Sequence, residues 1–319
     1  MGYSARYHAA SLAAVFLALA IGILIGAGLG DDLVRSTRKN LEQSLTVDVQ
    51  NARNRADELA GDLGRANEFG ERIYPALVEG RLAGRRIGVV GLGGLPGGIT
   101  SNIEKALGPS GARLVAVGVV GEPPDLGALA GDLSSTRFAD IASNPDTQQA
   151  FAKGIGRQLV LGGTLLDRVR GQLFTRASGA FGGLDGVLVV RDQPTDLGPA
   201  ERAATSTLES GILDGIAATG SDEVGVEATD TDPSSIGFYK SANVSSVDDI
   251  DLVAGRAALV FALLGAKGHF GVKDSADRLL PELLTPGPVP LRPVKPKPKP
   301  NGAKHAGKPA QTGQPAKGH

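Results

Sequence analysis

Four histidines, His8, His269, His305 and His319, are the only imidazoles in the 319-residue chain, which has no cysteine and a single methionine, Met1. Thiolate and thioether sulfur are what hold copper(I) and other soft ions, so a soft-metal site has almost nothing to draw on. No H-E-x-x-H or G-x-S-x-G occurs and no two histidines stand at helical spacing, which sets aside the common zinc-protease and serine-hydrolase arrangements. His269, in the glycine-flanked loop "GAKGHFGVK", is the one weak metal candidate; a lone histidine usually serves a hydrogen-bonded or surface role. No catalytic or cofactor-binding residue is picked out, and the expected function is non-enzymatic.

Three further stretches carry chemistry-bearing residues. "RRIGVVGLGGLPGG" joins a short apolar run to a glycine turn, but Pro96 stands where the third glycine of a dinucleotide fingerprint belongs and no Walker lysine follows. Glu122, just past the next apolar run, could mimic a ribose-binding acid, which keeps a nucleotide or sugar-nucleotide reading open beside the simpler one of a close-packing turn. "DTDPSS", Asp230 to Ser235, resembles the opening of a calcium loop, yet Ser235 replaces the required glycine and Ser241 the closing glutamate. It reads as a turn and helix cap. Asp248, Asp249 and Asp251 precede the apolar "LVAGRAALVFALLGA", where Asp251 is expected to cap the helix and the acids to suit its positive end.

The elements that must hold these residues begin with "RRIGVV", "RLVAVGVV", "GVLVVRD" and "EVGVEA", which are apolar, strand-like runs. Between them lie helical stretches at Ile99 to Leu107, Thr147 to Ile155, Leu165 to Phe174 and Ala200 to Ala218. Continuous apolar strands alternating with helices predict an α/β domain with a mainly parallel sheet covered on both faces. With no disulfide available, packing alone must hold it.

Ahead of this domain, "AASLAAVFLALAIGILIGAGL" carries no charge and is close to the ~20 residues needed to cross a bilayer as a helix. Its length favours a retained anchor over a cleavable signal, whose apolar region is usually ~7–15 residues. Small residues at Ala10, Ala14, Ala18, Gly22, Gly26 and Gly30 recur every four positions, and such ladders let helices approach closely in lipid. Ala14, Ala18, Gly22, Gly26 and Gly30 are the expected association face.

From Asp31 to Ile73 the chain is charged and free of proline, with Leu45, Val49, Ala52, Ala56, Leu59, Leu63, Ala66, Gly70 and Ile73 at alternating steps of four and three. This spacing predicts a helical coiled-coil stalk and a parallel homodimer; the alternative is an amphipathic helix lying on the globular domain. Pro75 is expected to end the helix.

Net charge is −1, so bulk charge names no partner and no nucleic acid is expected. Seven of the chain's 33 basic residues and no acidic one fall from Thr285 to His319, which leaves an acidic body of 26 basic against 34 acidic residues. This Lys/Pro-rich tail is expected to be disordered and partly polyproline-like. It would serve either as a solubilising spacer or as a contact to an anionic cell-wall polymer, a lipid surface or an envelope protein. The predicted organisation is a cytoplasmic leader at 1–8, a transmembrane anchor at 9–30, a stalk at 31–74, the α/β extracytoplasmic domain at 75–284 and the tail at 285–319. The short leader with Arg6 is most simply cytoplasmic and the rest exported.

Two blocks, "HAASLAAVFLALAIGILIGAGLGDDL" and "VDDIDLVAGRAALVFALLGAKGHFGVKDSADRLLP", resemble the actinobacterial copper-transport protein B (MctB-like) family. The resemblance covers about His8 to Pro281 and implies an anchored envelope protein with a role in copper transport or homeostasis, copper being a transported ion with unknown ligands. The family is described as forming outer-membrane channels, whereas this sequence shows a helix-and-strand alternation rather than many ~10-residue alternating barrel strands. The rival reading is a non-enzymatic scaffold of cell-envelope or division machinery.

Overall fold

The first helix does not stop at its proline. In the computed structural model, which describes residues 4–282 and Gly318, α1 runs from Ser4 to Val78 with Pro75 inside it. Proline deprives the helix of one internal hydrogen bond, but the last turn is held from outside. Tyr74 and Val78 are buried in the domain core, and the Tyr74 hydroxyl donates to the Ala106 carbonyl at 2.6 Å. The expectation that Pro75 ends the helix is corrected on that ground: tertiary packing outweighs the local penalty.

Within α1 lies one apolar segment, Arg6–Ala27, long and apolar enough to cross a membrane, and none of it is buried by the chain. Ala14, Ala18, Gly22 and Gly26 sit on this exposed stretch, and a Cβ added at Gly22 or Gly26 would meet nothing within 4 Å. The surroundings of Gly30 lie outside the described residues, as do those of the tail from Thr285 apart from Gly318, including His305 and His319. Every residue from Arg38 to Phe69 is exposed, so the alternative of an amphipathic helix resting on the domain is not what the structure adopts.

The domain is a seven-stranded sheet with order β3-β2-β1-β4-β5-β6-β7. Its strands are β1 (Arg86–Leu92), β2 (Arg113–Val120), β3 (Phe174–Gly179), β4 (Gly186–Arg191), β5 (Asp222–Val226), β6 (Ser245–Val247) and β7 (His269–Phe270). All neighbours pair in parallel except β2 with β3. The parallel expectation holds for the apolar strands. β3, whose side chains are exposed after Phe174, has no apolar pattern to announce it.

Successive strand residues face opposite sides, and both sides are covered. Val187 and Val189 join one core, built with α3 (Leu126–Leu133), α4 (Pro145–Leu161), α5 (Thr164–Leu173), α6 (Pro199–Ala217) and α7 (Ile236–Ser241). Leu188 and Val190 join the other, with the end of α1, α2 (Ile99–Ser110) and α8 (Val253–Ala262). Local signals set several boundaries: Asn144 accepts from the Asp146 and Thr147 amides to start α4, with Pro145 following.

α8 starts differently from expectation. Its N-cap is Leu252, with no side-chain cap, because the Asp251 carboxylate is taken by the amide (2.8 Å) and hydroxyl (2.6 Å) of Thr229. Asp251 therefore ties the loop after β5 to the helix entry instead of capping it. Arg256 of α8 reaches back to Glu71 of α1 and lies over the Tyr74 ring, 5.6 Å from its centroid, so the root of the long helix is clamped to the domain.

Candidate functional site

β1 and β4 are neighbours from which the chain departs in opposite directions, to β2 on one side and β5 on the other. Crevices at the carboxyl ends of parallel strands at such a switch point are where α/β folds place ligands. Here the crevice is bordered by the turn Gly93 to Gly98 after β1, by Glu122 after β2, by Arg191 and Asp192 at the end of β4 and by Glu227 after β5.

The glycines are required by close approach. Gly93 has φ +80°, and a Cβ there would lie 2.4 Å from the Asp192 carbonyl oxygen and 2.9 Å from Glu122 Oε2; one on Gly94 would lie 2.4 Å from Asp192 Oδ2. Two of the chain's own carboxylates thus sit against the turn on which a dinucleotide pyrophosphate would rest. Both Glu122 oxygens are shut off from solvent and lack a hydrogen-bond partner. Burial pushes its carboxyl up to about 8, with Glu209 adding, Arg191 opposing and Asp192 adding. An anion would meet two carboxyl groups packed against the turn here rather than the bare amides a phosphate cradle needs. Adding NAD or ATP is accordingly expected to leave the thermal midpoint unchanged, and a clear upward shift would reverse this conclusion.

Two largely buried ion pairs sit at the ends of β4 and β5. Arg191 bonds Glu209 of α6 through both carboxylate oxygens, at 2.6 and 3.2 Å, and stacks over Phe238 at 4.4 Å. Lys273 Nζ lies 2.7 Å from Glu227 Oε1 and 2.7 Å from the Thr231 carbonyl. The same Glu227 accepts from Ser234 Oγ and the Ser235 amide, each at 2.7 Å. The calcium-like "DTDPSS" loop therefore wraps an ammonium supplied by the chain itself. As a turn it matches expectation; Ser235 precedes α7 but makes no side-chain cap bond.

Of the acids before α8, Asp248 accepts from the Val272 and Lys273 amides at 2.8 and 3.3 Å. Asp249 is fully buried with neither oxygen paired, and its carboxyl is raised to about 7, by burial first and then by Asp248 and Asp251. Asp248 and Asp251 thus each bind a different loop, while the Asp249 carboxyl has no partner.

His269 belongs to β7 rather than to a loop. Its Nδ1 lies 2.8 Å from Ser246 Oγ and its amide donates to Asp277 at 3.2 Å. Burial lowers its pKa, Asp277 opposing and Lys240 assisting, and a serine holds the ring in place. Among the described residues, no three His, Cys, Asp or Glu side chains group so as to hold a metal ion. His8 is exposed on α1.

Sequence reasoning reached Glu122 and the glycine turn but missed Arg191, Glu209, Glu227 and Lys273. Their partners lie 18 and 46 residues apart in sequence, and only an acid near the end of an apolar strand hinted at them.

Residues 3–281 match the family described as "Copper transport outer membrane protein, MctB". The chain is similar to "Copper transporter MctB" of Mycobacterium bovis, 25% identical over 313 residues, covering 86% of this chain and 97% of the relative. The proteins of that name from Mycobacterium tuberculosis stand at the same identity and coverage.

Proposed function

The chain belongs to the MctB family of copper transport outer membrane proteins, and from this premise we propose that it is a membrane-anchored cell-envelope protein acting in copper transport or copper homeostasis. The observation that carries this is the family match across nearly the whole chain, joined to the apolar Arg6–Ala27 segment. In this reading the leader is cytoplasmic, the apolar segment spans the bilayer, and the α/β domain with its basic tail is extracytoplasmic.

The fold bears on how copper would be handled. The sheet has open edges at β3 and β7, and both of its faces are packed against helices, so it supplies neither a closed barrel nor a lipid-facing surface. The membrane-crossing part would be the single α1 segment, whose apolar side chains are unsuited to line a wetted ion path. The domain is then a component that supports transport at the envelope, and its oxygen-rich carboxylates suit copper(I) poorly.

Deleting the gene and challenging cells with copper tests this. The expected result is raised cell-associated copper and greater copper sensitivity, both restored by the full chain; unchanged copper content and sensitivity would overturn it.

One observation favours a scaffold as the second reading. α1 is continuous from the apolar segment to the domain, and the stretch from Ala27 to Gly70 spans roughly 65 Å at 1.5 Å per residue. Such a rod suits holding the domain, and whatever binds it, at a set height above the bilayer. Enrichment of wall or division proteins with the chain purified from membranes, with copper handling intact in the deletion, would favour the scaffold.

A further inference from the structure

The stalk part of α1 stands clear of its own domain while carrying a row of large apolar side chains in water. Leu45 is 54% exposed, Val49 50%, Leu59 68% and Leu63 62%. A solitary helix in water draws most of its stability from packing an apolar face, and nothing among the described residues covers this one. The row has a defined end: a Cβ on Gly70 would lie 3.3 Å from Val253 Cγ1, so the domain's own α8 occupies the groove where the row arrives. The uncovered part therefore runs from Leu45 to Ala66.

We propose that a second copy of this chain covers it, in a parallel, in-register two-helix coiled coil with Leu45, Ala52, Leu59 and Ala66 at d and Val49, Ala56 and Leu63 at a. Three observations select this occupant. The steps of four and three place every uncovered member of the row on one seam. With this register Asp48 falls at g and Arg53 at e, five residues on, which pairs each Asp48 with the Arg53 of the other copy. Neither has an ion-pair partner among the described residues of its own chain. Both copies also enter from the same anchor: α1 is unbroken from Arg6–Ala27 into the stalk, so two embedded copies point the same way. This last step rests on the membrane reading above, while the seam itself does not. Alanine at alternate d positions brings the two backbones close at those layers, and the seam closes at Gly70, where α8 replaces the partner helix.

The chain contains no cysteine, so single cysteines report pairing without background. Leu45→Cys and Leu59→Cys at d are compared with Glu58→Cys and Arg65→Cys at c, in full-length protein in native membranes under mild oxidation. A disulfide needs Cα atoms within about 4.4–6.8 Å, which d–d′ pairs approach and c–c′ pairs do not. The expected result is a covalent dimer forming at least tenfold faster at d than at c. Adding Asp48→Arg to Leu59→Cys should slow the reaction, and adding Arg53→Asp to both should restore it, a rescue that misfolding would not produce. Equal rates at c and d, or no dimer at any position in membrane-embedded protein, would overturn the pairing. Fractionating the same samples separates the two readings: a cross-linked dimer in the soluble fraction retains the seam and overturns the anchor.

Discussion

Replacing Arg191 with methionine is expected to destabilise the fold by about 3–5 kcal/mol, the cost of leaving a buried carboxylate without its partner. Glu209 is 1% exposed and Arg191 19%, so water cannot take over the solvation that the guanidinium provides through two hydrogen bonds. Phe238 also loses the flat cation stacked on it. The vacated carboxylate has one escape, which is to take up a proton. Burial already raises the Glu209 pKa against the lowering by Arg191, and removing Arg191 leaves only the raising influence. The loss should therefore be larger at pH 8 than at pH 6. Arg191→Met combined with Glu209→Leu should regain most of the stability, since an apolar pair of similar volume often replaces a buried ion pair at little net cost. Urea titration of the wild type and the two variants checks this. A single-variant loss below about 1 kcal/mol, the range of exposed pairs such as Arg72–Glu68, would mean that the pair is solvated.

That pair marks where sequence reasoning stops. The parallel α/β core was legible because "GVLVVRD" and its counterparts are apolar on both faces, a pattern that only a doubly covered sheet satisfies. The membrane-length segment was legible by length alone. Pro75 was misjudged because its penalty is local while Tyr74 and Val78 answer it from a core assembled elsewhere in the chain. Asp251 was misjudged because capping is a contact within one segment, and the competing Thr229 lies 22 residues away. Glu122 was found for its place after a strand, yet its buried, unpartnered state depends on Gly93, Asp192 and Glu209. Spacing speaks for periodic elements, whereas charge compensation between strand ends is set by topology.

The same topology predicts an unusual pH response: the fold should lose stability as pH rises from about 5 to 8. Glu122 and Glu223 are held near 8 and Asp249 near 7, in each case chiefly by burial. None of the three is salt-bridged; Lys267 lowers Glu223 only at a distance, against burial and Asp214. A carboxyl raised in the folded chain keeps its proton where the unfolded chain has already released it. Its contribution is complete below the unfolded pKa of roughly 4 and is lost as pH climbs through the folded value. Each such group removes up to about 1.4 kcal/mol per pH unit across that window. Asp140 and Asp277 are shifted downward and act only at the acid end, below the window, while His269, also lowered, opposes the trend only in its lower part. Denaturant titrations between pH 5 and 8.5 should therefore show falling midpoints, and folding at pH 6.5 should take up protons. Asp249→Asn, Glu223→Gln and Glu122→Gln should each flatten the slope while leaving stability at pH 5 nearly unchanged, because the amide imitates the protonated form. A flat or rising profile would show that these carboxyls find solvent or partners in the folded state. For Glu122 the consequence reaches the crevice: ionised, it would stand beside Asp192 under Gly93 and Gly94, which have no side chains to yield, so the Gly93–Gly98 segment should be the first to loosen above pH 8. Hydrogen exchange at Gly94 and Leu95, compared between wild type and Glu122→Gln, reads that step directly.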